Sequence, residues 1–180
     1  MSSLADADLV RASLGGDRHA FEVLVERHQR RVYQLCYRFV ANHEDASELA
    51  QDAFVRAYRS LAKFEGQAQF STWLHRITVN VCLNRLALKT YPQAALADLD
   101  TAPGHDEPAD AALLRGERAA RVRSAIAQLP KKQRATLILR VYHDMPHEEI
   151  ARILGGSVNA AKANLFHALG NLRKRLTGEE

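Results

Sequence analysis

This sequence predicts an all-α fold of two small helical domains joined by an acidic flexible linker, the C-terminal domain being a helix-turn-helix. Three observations predict it. Apolar residues recur at helical spacing along most of the chain, and period-two alternation is sustained nowhere, so no strands are expected. The stretch from Tyr91 to Ala112 holds five acidic residues (Asp98, Asp100, Asp106, Glu107 and Asp110), no Lys or Arg, and three of the five prolines. It reads as an extended tether 91–112 between a segment 1–90 and a segment 113–180. Near the C-terminus a short apolar run stops at Gly155 and Gly156, and a longer one starts after Ser157. Short helix, tight glycine turn, long helix is the helix-turn-helix pattern.

The first long helix follows from Phe21, Leu24, Val25, Val32, Leu35, Cys36 and Phe39, which trace one stripe. It is expected to end between Val40 and Glu44, where Asn42 offers a turn and His43, Glu44 and Asp45 a new helix start. A second stripe, Ala46, Leu49, Ala50, Ala53, Phe54, Ala57, Tyr58 and Leu61, leaves Ser47, Glu48, Gln51, Asp52, Val55 and Arg56 facing outward. After a break at Glu65, Gly66 and Gln67, the residues Phe70, Trp73, Leu74, Ile77 and Val81 start a third helix near Ser71. In the second segment, Leu114, Val122, Ile126 and Leu129 mark a helix closed by Pro130, and Leu137, Ile138 and Val141 mark another closed before Pro146. Ile150, Ala151, Ile153 and Leu154 form the short helix ending at the glycines, one of which supplies the left-handed residue of the turn. Ser157 caps the last helix, whose inward stripe is Val158, Ala161, Leu165, Ala168, Leu169, Leu172 and Leu176.

Composition narrows the function classes. Lys and Arg number 25 against 21 Asp and Glu, and the excess is uneven: 12 basic and 10 acidic residues over 1–90, but 13 and 6 over 113–180. A basic C-terminal segment suits an anionic partner. Cys36 and Cys82 are the only cysteines, have no CxxC spacing and fall at or beside apolar helical positions, as expected of core thiols in a reduced cytoplasmic protein. The N-terminal MSSLADADLVRAS lacks the apolar run of a secretory signal, and the longest apolar stretch, Ala135 to Leu139, stops at Arg140, so no membrane insertion is expected. No catalytic constellation, cofactor motif or metal centre is evident: His147, Glu148, Glu149, Ile150, Ala151 has Ala where HExxH needs its second His, and there is no glycine-rich phosphate loop. His143, Asp144 and His147 cluster around a proline turn, where such groups ordinarily face solvent.

Two stretches carry binding chemistry. The last helix turns outward Asn159, Ala160, Lys162, Ala163, Asn164, Phe166 and His167. Asn pairs the two edges of adenine, Lys reaches guanine acceptors or phosphate, and Ala permits close approach in a major groove. Arg173, Lys174 and Arg175 add an electrostatic anchor. In the first segment, AKFEGQAQFSTWLHRITVN from Ala62 to Asn80 interleaves aromatics with Lys63, Arg76 and amides, a composition on which unpaired bases stack. Core packing at helical spacing is the stronger account of these rings on the residues alone, and both readings hold if Phe70 and Trp73 are mainly buried with Phe64 left in the loop.

These residues resemble the extracytoplasmic-function group of bacterial sigma factors over nearly the whole chain. DLV at Asp8 to Val10, Gly16, Asp17, Ala20 and Phe21, DASELAQDAFVRAY from Asp45 to Tyr58, and FSTWLHRITVN from Phe70 to Asn80 are similar to the family's second conserved region. LPKKQRATLILRVYHDMPHEEIARILGGSVNAAKANLFHAL from Leu129 to Leu169 is similar to its fourth. The resemblance implies a protein that directs core RNA polymerase to promoter DNA under the restraint of an anti-sigma factor. It implies that Glu48, Gln51 and Asp52 dock on the polymerase. Lys63, Phe64, Thr72, Trp73, His75, Arg76, Asn80 and Asn84 would open the promoter and capture a flipped base. Ser157, Asn159, Ala160, Lys162, Asn164, His167, Arg173 and Lys174 would bind the upstream duplex. It also implies that the acidic linker threads toward nucleic-acid-binding surfaces of the polymerase and mimics a strand, beside the plainer reading of a solvated tether.

The chain departs from the family in places. It has Asn159, Ala160 and Ala161 where Gly-Thr-Val is common after Ser-Val, and Ala163, Asn164 and His167 where Ser-Arg and a later Arg are common; Glu65 replaces a frequent Arg. The promoter sequence is therefore not transferable from relatives. Two other classes compete with the sigma reading: a stand-alone helix-turn-helix regulator, which leaves 1–90 unexplained, and a helical protein-interaction adaptor, which predicts no dependence on DNA.

Overall fold

The structure, a computed structural model, describes residues 4–88 and 109–178. Eight α-helices form among the described residues: α1 (Asp6–Leu14), α2 (Arg18–Val40), α3 (His43–Ser60), α4 (Phe70–Leu88), α5 (Ala109–Ala127), α6 (Lys131–Tyr142), α7 (His147–Leu154) and α8 (Val158–Thr177), with a 3-10 turn at Leu61–Lys63. No described residue lies in a strand, in accord with the periodicity. Asp98, Asp100, Asp106 and Glu107 of the acidic stretch lie outside the described residues, whereas Asp110 falls within α5, which begins inside the stretch read as tether.

Helix ends follow local chemistry. The Asp17 carboxylate accepts from the amides of His19 and Ala20, so α2 starts before its first large apolar residue. Asn42 caps α3 by accepting from the Asp45 amide at 2.9 Å, and Glu44 and Asp45 sit in the first turn where the helix dipole favours anions. α1 was not legible from the apolar pattern. It is held by its own polar residues: Asp6 pairs with Arg27 and accepts from His28 Nε2 at 2.8 Å, seating Leu9 and Val10 on α2.

The largest apolar core joins both halves of the chain. Leu24, Val32, Leu35 and Phe39 of α2, Leu49 and Ala53 of α3, and Leu74 and Cys82 of α4 form one cluster with Ile138 and Leu139 of α6, Ile150 and Ile153 of α7, and Ala161 of α8. A second, smaller core gathers Ile126, Leu129, Leu137 and Ala168 with Val122, Leu165 and Leu172, binding α5, α6 and α8 together. Polar ties cross between the halves. The buried Arg134 guanidinium donates to the carbonyls of Ala127 and, at the end of α2, Phe39, where helix carbonyls lack intrahelical partners. Arg38 stacks 4.2 Å above the Tyr142 ring.

Several apolar positions face water instead of the core. Tyr58, Val141 and Leu169 are half exposed or more, and so is Leu114. α6 explains the pattern: it is wedged between α2 and α8, so two of its sides are buried and the third carries Val141 outward. Cys36 and Cys82 are both buried and free. A hydrogen bond with Cys36, reinforced by burial, pushes the Cys82 thiol well above its ordinary range, so that thiol stays protonated.

Candidate functional site

The structure sorts the candidate residues into three surfaces. The first is the outer face of α3, where Glu48 and Gln51 are exposed and Asp52 is partly so. Arg85 of α4 reaches over to this face: its guanidinium donates to Glu48 at 2.7 and 3.2 Å and to Asp45 at 3.1 Å. Asp52 accepts from Arg56 one turn on, at 3.0 and 3.1 Å. The carboxylates are thus preoriented on the outer face of α3. Beside them lies an open groove between α2 and α3, near 710 Å³, lined by Val25, Tyr33, Gln51, Phe54 and Val55 among others. Arg30, Gln29 and Ser47 also line it, so the groove mixes apolar and polar side chains.

The second surface surrounds the start of α4. Phe64, Phe70 and Trp73 form an aromatic group, with the Phe64 ring centroid 5.3 Å from Trp73 and 5.9 Å, edge-on, from Phe70. Phe70 is buried, while Phe64 and Trp73 keep part of their surface in water. Helical spacing then splits the rest of the set. Trp73, Arg76, Asn80 and Asn84 lie on one stripe, and its polar members are exposed, as is Lys63 in the preceding turn. Thr72 and His75 lie on the neighbouring stripe and are buried.

α7 packs over this side of α4 at Thr72, with α2 and the turn before α7 around His75. The Thr72 hydroxyl donates to Glu149 Oε1 at 3.0 Å across the two halves of the chain. His75 is 4% exposed, and its Nδ1 has no hydrogen-bond partner. Burial pushes its pKa down to about 4, and the nearby His143, His28 and Arg31 push in the same direction. The sequence does not signal Glu149 as a contributor to this region, because it acts through a contact between distant segments.

The third surface is the face of α8. α7 ends in Gly155 at φ 69°, the left-handed conformation that closes the turn, and the Ser157 hydroxyl accepts from the Ala160 amide at 3.1 Å to start α8. Asn159, Ala160, Lys162, Ala163, Phe166 and His167 point to solvent, as do Ser157, Arg173 and Lys174; Asn164 is half-buried. Phe166 is 75% exposed, unusual for its size, and sits on the same face as Asn159 and Ala163. Arg175 turns away from this face to donate to Gln128, just past α5, at 2.6 Å, so the expected basic anchor reduces to Arg173 and Lys174. Among the described residues no cluster of three or more His, Cys, Asp or Glu could hold a metal ion.

Comparison with known proteins matches the chain to a family. Residues 24–90 match the sigma-70 region 2 model and residues 119–172 the sigma-70 region 4 model. The RNA polymerase sigma-H factor of Pseudomonas aeruginosa is 34% identical, with 95% of this chain and 93% of that protein aligned. The ECF RNA polymerase sigma factor SigM of Mycobacterium tuberculosis is 35% identical over 96% of this chain and 85% of its own length. The chain belongs to the extracytoplasmic-function sigma factors. Among solved structures, CnrH in complex with the cytosolic domain of CnrY superposes on this sigma factor with a TM-score of 0.70 and 26% identity, over 98% of this chain and 100% of that one. The sigma factor RpoE of Bartonella quintana, solved with the anti-sigma factor NepR, shares the fold at a TM-score of 0.62 and 18% identity, covering 89% of this chain and 98% of that one. The first two surfaces of this sigma factor lie within the region 2 match, and the outward part of α8 lies mostly within the region 4 match.

Proposed function

We propose that this sigma factor docks on bacterial core RNA polymerase through Glu48, Gln51 and Asp52, opens promoter DNA with the α4 surface, and reads the upstream duplex with α8. The observation that carries the reading is the presence of two differently built nucleic-acid surfaces on one chain. α8 offers a flat polar face with small residues and flanking cations, suited to base edges in an intact major groove. The α4 surface offers partly exposed rings beside Lys63, Arg76, Asn80 and Asn84, suited to bases that have left the stack. Duplex readers need the first, and only proteins that handle separated strands need the second.

In this reading the chain is a regulator without catalytic activity of its own; the polymerase supplies the chemistry. None of the described helices is long and apolar enough to cross a membrane, and action on a polymerase places the protein in the cytoplasm. CnrH is solved with a protein partner, and an anti-sigma factor that covers the same surfaces is the corresponding partner proposed here. The test mixes the purified chain with core polymerase and genomic DNA fragments and maps transcript starts. New starts sharing two spaced upstream elements are expected. DNA binding that ignores polymerase would replace this reading with a stand-alone helix-turn-helix regulator, and binding to neither would favour an interaction adaptor.

A further inference from the structure

The covering of Thr72 and His75 has a chemistry of its own. The seam between α4, α2 and the turn leading into α7 holds two buried histidine nitrogens without partners, Nδ1 of His75 and Nε2 of His143. His75 faces His28 and Arg31 on α2 and His143 in the turn before α7. His143 faces Arg38 and Arg31 on α2, with Asp144 beside it in its own turn. The remaining charged groups at the seam are already engaged: His28 with Asp6, and Glu149 with Thr72. A proton added to either ring therefore places a cation in a partly or fully buried position among other cations, with Asp144 offsetting it at His143.

We propose that this seam is an acid-sensitive latch: with His75 and His143 uncharged, α7 lies over α4 and keeps Thr72 and His75 from DNA, and protonation of the two rings parts them. The autoinhibitory half of the proposal rests on the promoter-opening role assigned to α4. The direction follows from burial. His75 lies at about 4 when covered against an ordinary 6.5, and His143 is likewise lowered, first by burial and then by Arg38 and Arg31. A group whose covered form resists protonation leaves closure untouched above pH 6.5. It weakens closure progressively as pH falls below that value, by up to about tenfold in the open-to-closed ratio between about pH 7.5 and about pH 5.5 for His75 alone.

The test uses the full chain carrying fluorophores at Glu22→Cys and Thr177→Cys, both exposed, while buried Cys36 and Cys82 stay unlabelled. Energy transfer is read from about pH 7.5 to about pH 5.5, with helix content followed by circular dichroism. Transfer should fall reversibly in acid at constant helicity, by less in His143→Gln, and hardly at all in His75→Asn combined with His143→Gln. Glu149→Ala should lower transfer at every pH. Transfer that is already low at pH 7.5, stays constant with pH, or falls equally in the double variant overturns the latch. The distance readout needs no polymerase, so the two readings fail separately. Acid-driven opening without polymerase-dependent initiation would remove the autoinhibitory role along with the sigma reading of α4. Normal initiation with a pH-independent distance would overturn the latch alone.

Discussion

The two helices assigned to nucleic acid differ in what the fold leaves uncovered. α8 buries Ala161 and Ala168 and presents its polar face to water without obstruction. α4 is buried on two sides, and its candidate residues are divided between an open stripe of Arg76, Asn80 and Asn84 and a stripe of Thr72 and His75 that lies under α7. In the proposed roles, the duplex-reading face is thus presented in the isolated chain, whereas the strand-opening surface is only half presented. The difference teaches that two binding faces on one chain need not be exposed together, and that full exposure of the α4 set requires α7 to move off it.

The largest effect should come from the shared core that makes α4 different. Ile150 is fully buried in the cluster spanning both halves. Ile150→Ala should cost about 2–5 kcal/mol and lower the denaturant midpoint of helix loss in both halves. A loss confined to residues 109–178 would show the halves to be independent and would break the comparison.

Next in size are the base-reading positions of α8. Asn159→Ala should cost about 1–3 kcal/mol at one promoter position and relax the sequence preference there, while Lys174→Ala should weaken all duplexes evenly and reduce the salt slope by about one. Titrations at several salt concentrations separate the two. Removal of the Ser157 cap is smaller: Ser157→Ala should lower stability by about 1 kcal/mol, read by thermal melting, because the Ala160 amide then lacks its acceptor. The smallest effect concerns the thiols. Cys36 and Cys82 should resist alkylation in the folded chain and react only on unfolding, and rapid native-state labelling would contradict the burial that holds the Cys82 thiol protonated.

The sequence made some of this legible and hid the rest for physical reasons. Asn42, Ser157 and Gly155 act through bonds and dihedral angles within a few residues, so the ends of α2, α3, α7 and α8 could be read locally. The stripes of α2 and α3 could be read because each helix buries one main side. α6 could not, since burial on two sides hides Arg134 and exposes Val141, against their hydropathy. α1 was missed because an Asp6 pairing with Arg27 and His28, twenty-one and twenty-two residues away, holds it in place. For the candidate surfaces, periodicity placed Asn159, Lys162 and Phe166 outward on α8, where they stand. The family resemblance groups Thr72 with Arg76 on α4, yet the fold parts them, because α7 meets only one of the two stripes, a contact made over seventy-seven residues.

The most direct test of the account is strand-separation footprinting on one promoter with core polymerase and three forms of the chain: wild type, Asn159→Ala with Lys162→Ala, and Arg76→Ala with Asn80→Ala and Asn84→Ala. The account predicts that the α4 variant still protects the upstream duplex but leaves the strands paired, while the α8 variant loses protection and opening together. Normal strand opening by the α4 variant, or loss of upstream protection equal to that of the α8 variant, would contradict the division of labour between the two helices.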